Sequence, residues 1–209
     1  MKKAIVATAI SLAFASTAFA AAPAMNLESG QVQLGYSYEN LQTTLNGLGD
    51  LGTYHGNGYH LDYGLSNKLV LTGSYLNSDS KSFNVNIPGV YTGSLNNVGF
   101  NSTELGLQYK LSDNIALSAG SLKSEFNANG SSNSSSEMFG GIAYKQNISN
   151  NIDGYASYIK STNVTDWKAG VTYNLNKNTS FDVGYHDYEN NGASNYSAKG
   201  MSLGLNHKF

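Results

Sequence analysis

The side chains able to do acid–base or ligand chemistry in this 209-residue chain are few and scattered. His60 and Asp62 stand two residues apart, which puts both on one face of a strand and lets the carboxylate pair with the imidazole. His186 and Asp187 are adjacent, so in a strand they point to opposite faces and cannot aim at one substrate. His55 stands five residues before His60, an odd spacing that puts it on the opposite face of a strand, and His207 lies 21 residues after His186. No serine sits in a Gly-x-Ser-x-Gly elbow, so a nucleophile is missing. With no cysteine, thiol catalysis, thiolate zinc sites and disulfides are excluded. The oxygen-bearing residues between Asn127 and Glu137 lack the spacing of a calcium loop. The expectation is a protein that is not an enzyme, with no catalytic, cofactor-binding or metal-binding residues; His60 and Asp62 read instead as a pH-sensitive internal pair. All twelve basic residues are lysines. Without arginine the planar fork favoured by phosphate and base-edge recognition is gone, and no nucleic-acid partner is expected.

Such sparse chemistry has to be carried by an unusual scaffold. Charged residues make up 12% of the chain, about half the share in a soluble domain, while Gly (23) and Tyr (15) are abundant. The first twenty residues join a basic head, Met1-Lys2-Lys3, to an apolar run from Ala4 to Phe14 and a small-x-small terminus, Ala18-Phe19-Ala20. That is the three-part layout of a cleaved secretory signal, and the run is too short for a membrane helix. Removing residues 1–20 takes the formal net charge from −2 to about −4. Residues 21–30 form a short lead, and 31–209 form the folded domain.

From there the pattern is alternation of apolar and polar residues. Ten segments show it, at 31–39, 57–65, 69–77, 102–111, 115–123, 136–145, 152–160, 166–175, 180–188 and 199–209. Each has the length that a tilted strand needs to cross a bilayer, about 9–11 residues. The segment 152–160 alternates weakly, with Tyr155 and Ile159 on its wet face, so eight or twelve strands also fit. Four connections are tight: 66–68, 112–114, 146–151 and 176–179. Four of the other five are longer and made of Gly, Ser and Asn: 40–56, 78–101, 124–135 and 189–198. The loop 124–135 is of low complexity and is expected to be mobile. Short turns at one end and long polar loops at the other are the layout of a transmembrane barrel. Around the tight turns the chain repeats itself, each copy placing a Tyr (63, 109, 144, 173) on the apolar face just before the turn. An interfacial aromatic girdle sits at that height, with Tyr59, Tyr75, Tyr158, Trp167 and Tyr185 as its counterpart. The predicted fold is therefore all-β: a closed antiparallel transmembrane β-barrel of about ten strands in an up-and-down meander. Closure satisfies every backbone amide within lipid.

In this architecture the chain resembles the small Gram-negative outer-membrane β-barrel proteins, the opacity-protein and porin-like group of eight to ten strands. The resemblance covers essentially all of the chain after residue 20. It implies residence in the outer membrane, contact with the bilayer and its lipopolysaccharide leaflet, and delivery by the barrel-assembly machinery. It also implies that the last strand, with Met201, Leu203, Leu205 and terminal Phe209, is the assembly signal; His207 stands where Tyr or Leu is commoner. Ten-stranded outer-membrane proteases share the layout and use Asp and His at the barrel mouth, but the opposed facing of His186 and Asp187 makes that the weaker reading.

Alternate positions then line the interior. The candidate charged residues there are His60, Asp62, Glu104, Lys110, Glu137, Lys145, Lys168, Asp182 and His186, and both signs allow them to pair. Inner glycines and serines such as Gly35, Ser37, Gly106, Gly120, Gly170, Gly184 and Gly204 take little volume, which favours a thin wet path. Acidic residues, among them Glu39, Glu104, Asp166, Asp187 and Glu189, outnumber lysines toward the long-loop end, so the mouth is expected to be negative and any conductance weakly cation-preferring. Two functions follow: a porin-like barrel with at most a narrow passive pore for small solutes, or an adhesin or receptor-type barrel acting through loops 40–56 and 78–101. Leu41, Leu45, Leu48, Leu51, Val90 and Tyr91 make those loops more apolar than solvation requires, either as contacts or as packing over the mouth.

Overall fold

Three of the four short turns are built by one device. The side-chain oxygen of the residue opening the turn accepts two backbone amides: Ser66 Oγ from Lys68 and Leu69, Ser112 Oγ from Asn114 and Ile115, and Asn176 Oδ1 from Asn178 and Thr179. Short polar side chains at these positions mimic a backbone turn, which reverses the chain within a few residues. The computed structural model describes residues 23–25, 27–45, 49–87, 91–191 and 196–209. The expected signal 1–20 and residues Leu48 and Val90 lie outside the described residues.

Among the described residues there are eleven strands: β1 (Val32–Leu45), β2 (Gly49–Ser66), β3 (Leu69–Ser78), β4 (Lys81–Ile87), β5 (Tyr91–Lys110), β6 (Ile115–Ala128), β7 (Ser131–Ser149), β8 (Ile152–Lys160), β9 (Val164–Asn174), β10 (Thr179–Asn190) and β11 (Tyr196–Lys208). Ten of them close on themselves as an antiparallel meander in the order β3-β2-β1-β11-β10-β9-β8-β7-β6-β5, with β5 returning to β3. β4 continues upward from β3 and pairs only with the upper part of β5, residues 91–98, while β5 residues 101–109 pair with β3. The seam between the two chain ends is a full β1–β11 ladder, from Gln33↔Lys208 to Leu45↔Tyr196, and the Phe209 amide donates to the Val32 carbonyl.

The long connections differ from expectation. β1 and β2 run on through most of 40–56, 78–101 holds β4 and the start of β5, and 124–135 is a hairpin instead of a mobile loop. Asn129 and Gly130, at φ 51° and 77°, form the two-residue turn of that hairpin. Both must adopt a left-handed backbone, the conformation Asn and Gly tolerate best. The strands thus extend well past the length a bilayer requires.

The outer wall follows the predicted phase. Leu34, Leu61, Leu105, Leu107, Ile142, Val171, Leu203 and Leu205 are exposed on it, flanked by Tyr63, Tyr109, Tyr144 and Tyr173 toward the short turns and by Tyr59, Tyr75, Tyr158, Trp167 and Tyr185 toward the hairpins. Leu65, Leu111, Ile148 and Leu175 extend the apolar surface one step beyond the lower tyrosines. From Trp167 to Leu175 this face rises about 20 Å, at about 3.3 Å per residue and a tilt of about 40°. A continuous greasy collar of that height, on a sheet with no open edge within it, is the surface of a membrane-spanning barrel.

Candidate functional site

Function has to be sought inside the collar and above it. The charged residues inside the barrel are stratified along its axis, and Glu137, expected among them, stands at the hairpin rim. Nearest the short turns, Lys145 pairs with Asp153 at 3.3 Å and Lys110 with Asp113 at 3.0 Å. The lead does not trail outside. Ala24 and Leu27 pack on Val70, and Met25 packs on Ala116 and Ala143, all inside the short-turn mouth. Gly64 admits this segment: a Cβ there would lie 2.0 Å from the Glu28 carbonyl oxygen, and Gly64 exchanges backbone hydrogen bonds with Gly30 and Gln31. Pro23 and Ala24 then stand between two cavities. A wider one of about 430 Å³ opens at the short-turn end beside Gln33, Lys145, Asp153, Asn174 and Lys208. An inner chamber of about 100 Å³ is lined by His60, Asp62, Thr72, Ser74, Glu104, Gln108 and Lys168, among others.

Above and beside the chamber lies a buried charged layer. His186 contacts Glu39 through Nδ1 at 3.1 Å and Asp166 through Nε2 at 2.7 Å, and the second Asp166 oxygen is 3.5 Å from Lys168 Nζ. A doubly donating imidazolium is the form that satisfies both contacts. Four groups that would each be costly to bury alone are held by one another. The sequence reading puts Glu39, Glu104 and Asp166 at a negative outer mouth. They lie instead within the barrel, Glu39 and Asp166 fully buried. Asp187 and Glu189 sit on the outside of β10 and are both taken by Lys199, at 3.0 and 2.9 Å.

The inner glycines do not leave a wet path. At Gly184 and Gly170 a Cβ would meet the Tyr155 hydroxyl at 2.4 and 2.6 Å, at Gly204 it would meet Asp182 Oδ1 at 2.7 Å, and at Gly35 the His60 ring at 1.8 Å. Each vacancy is filled by a larger side chain from a neighbouring strand: His60 is the ladder partner of Gly35, Asp182 of Gly204 and Tyr155 of Gly170, with Gly184 one strand further on, as close packing demands. Tyr155, the residue that weakens the alternation of 152–160, is one of these fillers.

Toward the hairpins the lumen is crossed by an apolar layer. Leu41, Tyr54, Leu76, Phe100, Leu122, Phe139, Val164, Tyr188 and Ala198 form one buried cluster with Leu95, Val98 and Ala128, and Ile159, Leu51 and Phe83 pack against it. Nine of the ten barrel strands supply buried members and β8 adds the partly buried Ile159, so the cluster spans the bore as a septum. Leu41 and Leu51 belong to it, which resolves their apolar character as packing over the mouth.

At the hairpin rim, beyond the outer girdle, Glu137 caps the β8–β9 turn. Its carboxylate accepts hydrogen bonds from Ser161 Oγ at 2.5 Å, Asn163 Nδ2 at 3.0 Å and the Asn163 amide at 3.3 Å. Burial alone would raise this carboxyl, but those donors together with the Lys160 charge hold it below the ordinary glutamate value. The hydrogen bond to Glu189, with that to Asp187, likewise holds the Lys199 ammonium above its usual range against the effect of burial. In the last strand Met201, Leu203, Leu205 and Phe209 all face outward and are exposed, with the Phe209 ring edge-on to His207 at 4.6 Å.

Among the described residues no three His, Cys, Asp or Glu side chains converge as a metal-binding group. Glu39, Asp166 and Phe139 are among the interior residues that the sequence reading did not single out as such. Strand parity was the available signal for Glu39, which shares the inner phase of Gly35 and Ser37.

No protein-family profile matches this chain, and no curated protein is similar to it in sequence. Solved structures are similar in fold. The attachment invasion locus protein Ail of Yersinia pestis is 16% identical, with 87% of this chain and 99% of that chain covered at a TM-score of 0.43. The outer membrane protein OprG of Pseudomonas aeruginosa is 10% identical over 88% and 98%, at 0.44. The toluene transporter TbuX of Ralstonia pickettii is 11% identical over 94% and 97%, at 0.43.

Proposed function

We propose that this chain is an integral outer-membrane barrel of a Gram-negative-type bacterium, closed to solute flow in its resting form, whose work is done at the cell surface by its protruding hairpins. On this reading segment 1–20 exports it, the barrel-assembly machinery reads Met201, Leu203, Leu205 and Phe209, and the collar meets lipid and the lipopolysaccharide leaflet. The short turns face the periplasm and the hairpins β1–β2, β4–β5 and β6–β7 face outward. The observation that carries the proposal is the septum: a dry layer drawn from every strand is a barrier to hydrated ions and small polar solutes. The hairpins above it are built from strands over their described residues, an architecture suited to presenting a defined surface.

Planar-bilayer recording tests the closed state. The expected result is no steady conductance at low voltage from a barrel that passes the heat-shift gel; a stable open level in the unmodified protein would refute it. Excision of residues 81–97 is expected to leave folding intact while abolishing binding of the surface partner.

The two cavities below the septum favour a second, subordinate reading as a porin-like barrel with a narrow gated path. If the septum rearranges, Glu39, Glu104 and Asp166 line that path, and its current is cation-preferring under a salt gradient.

A further inference from the structure

The wider cavity at the short-turn mouth is cationic. Among the described residues its charged lining is Lys145, Lys177 and Lys208 against the single carboxylate of Asp153. That carboxylate is already engaged on both oxygens. Lys145 Nζ stands 3.3 Å from Oδ2, Asn174 Nδ2 donates to the same oxygen at 3.1 Å, and Asn147 Nδ2 donates to Oδ1 at 3.1 Å. Lys145 and Asp153 therefore cancel within the wall. The other acids at this end do not help: Asp113 is taken by Lys110, and Glu28 does not line the cavity. Among the described residues the lysines held in ion pairs are Lys110, Lys145, Lys168 and Lys199. Lys177 and Lys208 have no carboxylate partner, and the mouth is left with two unmatched positive charges.

Register puts these two charges side by side. The Lys208 amide donates to the Asn178 carbonyl in the β9–β10 turn, one residue after Lys177, and across the β1–β11 seam Lys208 is the ladder partner of Gln33. Asn176, in the same turn, is a second and independent pointer. Its Oδ1 accepts the amides of Asn178 and Thr179, at 2.9 and 2.8 Å, so its Nδ2 hydrogens are what this side chain has left to offer the cavity it lines. Two ammoniums and a carboxamide with donors to spare form a set that an oxyanion satisfies and a cation does not.

We propose that the wider cavity binds one small, doubly charged oxyanion, a dicarboxylate or a phosphate monoester. Its two charges match Lys177 and Lys208, and Asn150, Asn151 and Asn176 supply carboxamides around it. Pro23, Met25 and Leu175 offer an apolar surface to its carbon skeleton. Lysine acts as a point charge and not as a planar fork, so the site reads charge and leaves both kinds of oxyanion open. A volume of about 430 Å³ is that of a small-molecule site. The lead gives the cavity its inner wall: Pro23 and Ala24 line it and the inner chamber alike, which holds the ligand at the mouth. The site is independent of the surface role and of the septum.

The test uses the mature chain refolded from denaturant into micelles of a neutral detergent, free of lipopolysaccharide. Glutarate and glycerol phosphate are titrated calorimetrically at constant ionic strength and at about pH 8, where a phosphate monoester carries both charges. Glycerol is the uncharged control. Saturable uptake of one anion per barrel is expected, and the arm that shows it identifies the kind of oxyanion. Lys177→Met and Lys208→Met should each weaken uptake about threefold and together about tenfold, as charge pairs in a wet mouth do. Lys123→Met, at the hairpin end, should leave it unchanged. No saturable uptake in either arm, equal uptake of glycerol, or uptake indifferent to the double lysine variant overturns the proposal. Should that variant fail the heat-shift gel, amide NMR shifts of the unmodified barrel decide. Saturable shifts at the Gln33, Asn174 and Asn176 side-chain amides support the site, and their absence overturns it.

Discussion

The packing of Tyr155 over the inner glycines of the next two strands, β9 and β10, can be tested by a double-mutant cycle with an internal control. In Gly184→Ala the new methyl would stand 2.4 Å from the Tyr155 hydroxyl and 3.1 Å from Ser202 Oγ, with the nearest backbone atom a comfortable 3.4 Å away. The clash is therefore with a side chain. Overpacking of this kind costs about 1–3 kcal/mol. Tyr155→Ala removes a buried ring and costs about 3–5 kcal/mol. In the double variant the obstacle is gone, so the second substitution should be nearly free and the two effects should fall short of their sum by about 1–3 kcal/mol. Gly170→Ala supplies the control: its methyl would lie 2.6 Å from the same hydroxyl but also 2.4 Å from the Val183 carbonyl oxygen. Removing Tyr155 does not relieve that backbone contact, and Gly170→Ala should remain costly in both backgrounds. Equilibrium urea unfolding in micelles, followed by the fluorescence of the single tryptophan, Trp167, measures all the terms. Additivity at Gly184 within about 0.5 kcal/mol would mean that the phenol does not occupy the glycine's vacancy, and the account of a filled lumen fails with it.

Three further outcomes follow from the same structure. Phe139→Ala, which empties a buried position over Gly106 and Gly120, should cost about 3–5 kcal/mol and bring intermittent conductance to a silent barrel; a destabilised but still silent barrel would show that the septum does not depend on this ring. Because the Glu137 carboxyl is held low in the folded protein, its stabilising effect is present above the ordinary glutamate value and is lost as pH falls through the lower folded value. Protease nicking of the β8–β9 turn should rise over that acid window, and in Glu137→Gln the pH dependence should disappear. Lys199→Met severs a partly exposed pair and should cost less than about 1 kcal/mol, with a smaller effect at 1 M salt; a larger, salt-independent loss would contradict its placement on the outer face.

Strand number and phase were legible because one side of each strand meets lipid, and Leu34, Leu105 and Leu203 cannot be mistaken for lumen residues. The turns were legible for a local reason: Ser66, Ser112 and Asn176 each satisfy two amides within three residues. What escaped was what register between strands decides. Gly184 reads as empty space until Tyr155, nearly thirty residues earlier and two strands away, is seen to fill it. Glu39 and Asp166 read as rim charges because the layer that closes over them includes Leu41 and Val164, in segments read as connections, and Tyr188, at the very end of a predicted strand. The hairpin at Asn129-Gly130 carried a readable turn signal that was masked by the surrounding serines. The charged candidates His60, Asp62 and Lys168 were found by parity, whereas their grouping around one chamber depends on register and shear.

The insertion of the lead into the mouth bears on how the protein can be labelled. Pro23, Ala24 and Met25 line the wider cavity, so a bulky reporter placed within this segment would compete with the packing of Met25 and Leu27. A tag following Phe209 meets no such obstacle, since Phe209 is exposed on the outside of the wall, its ring edge-on to His207. Residues 23–25 and Phe209 lie at the same end of the cylinder, yet the first are tenants of the bore and the last is not.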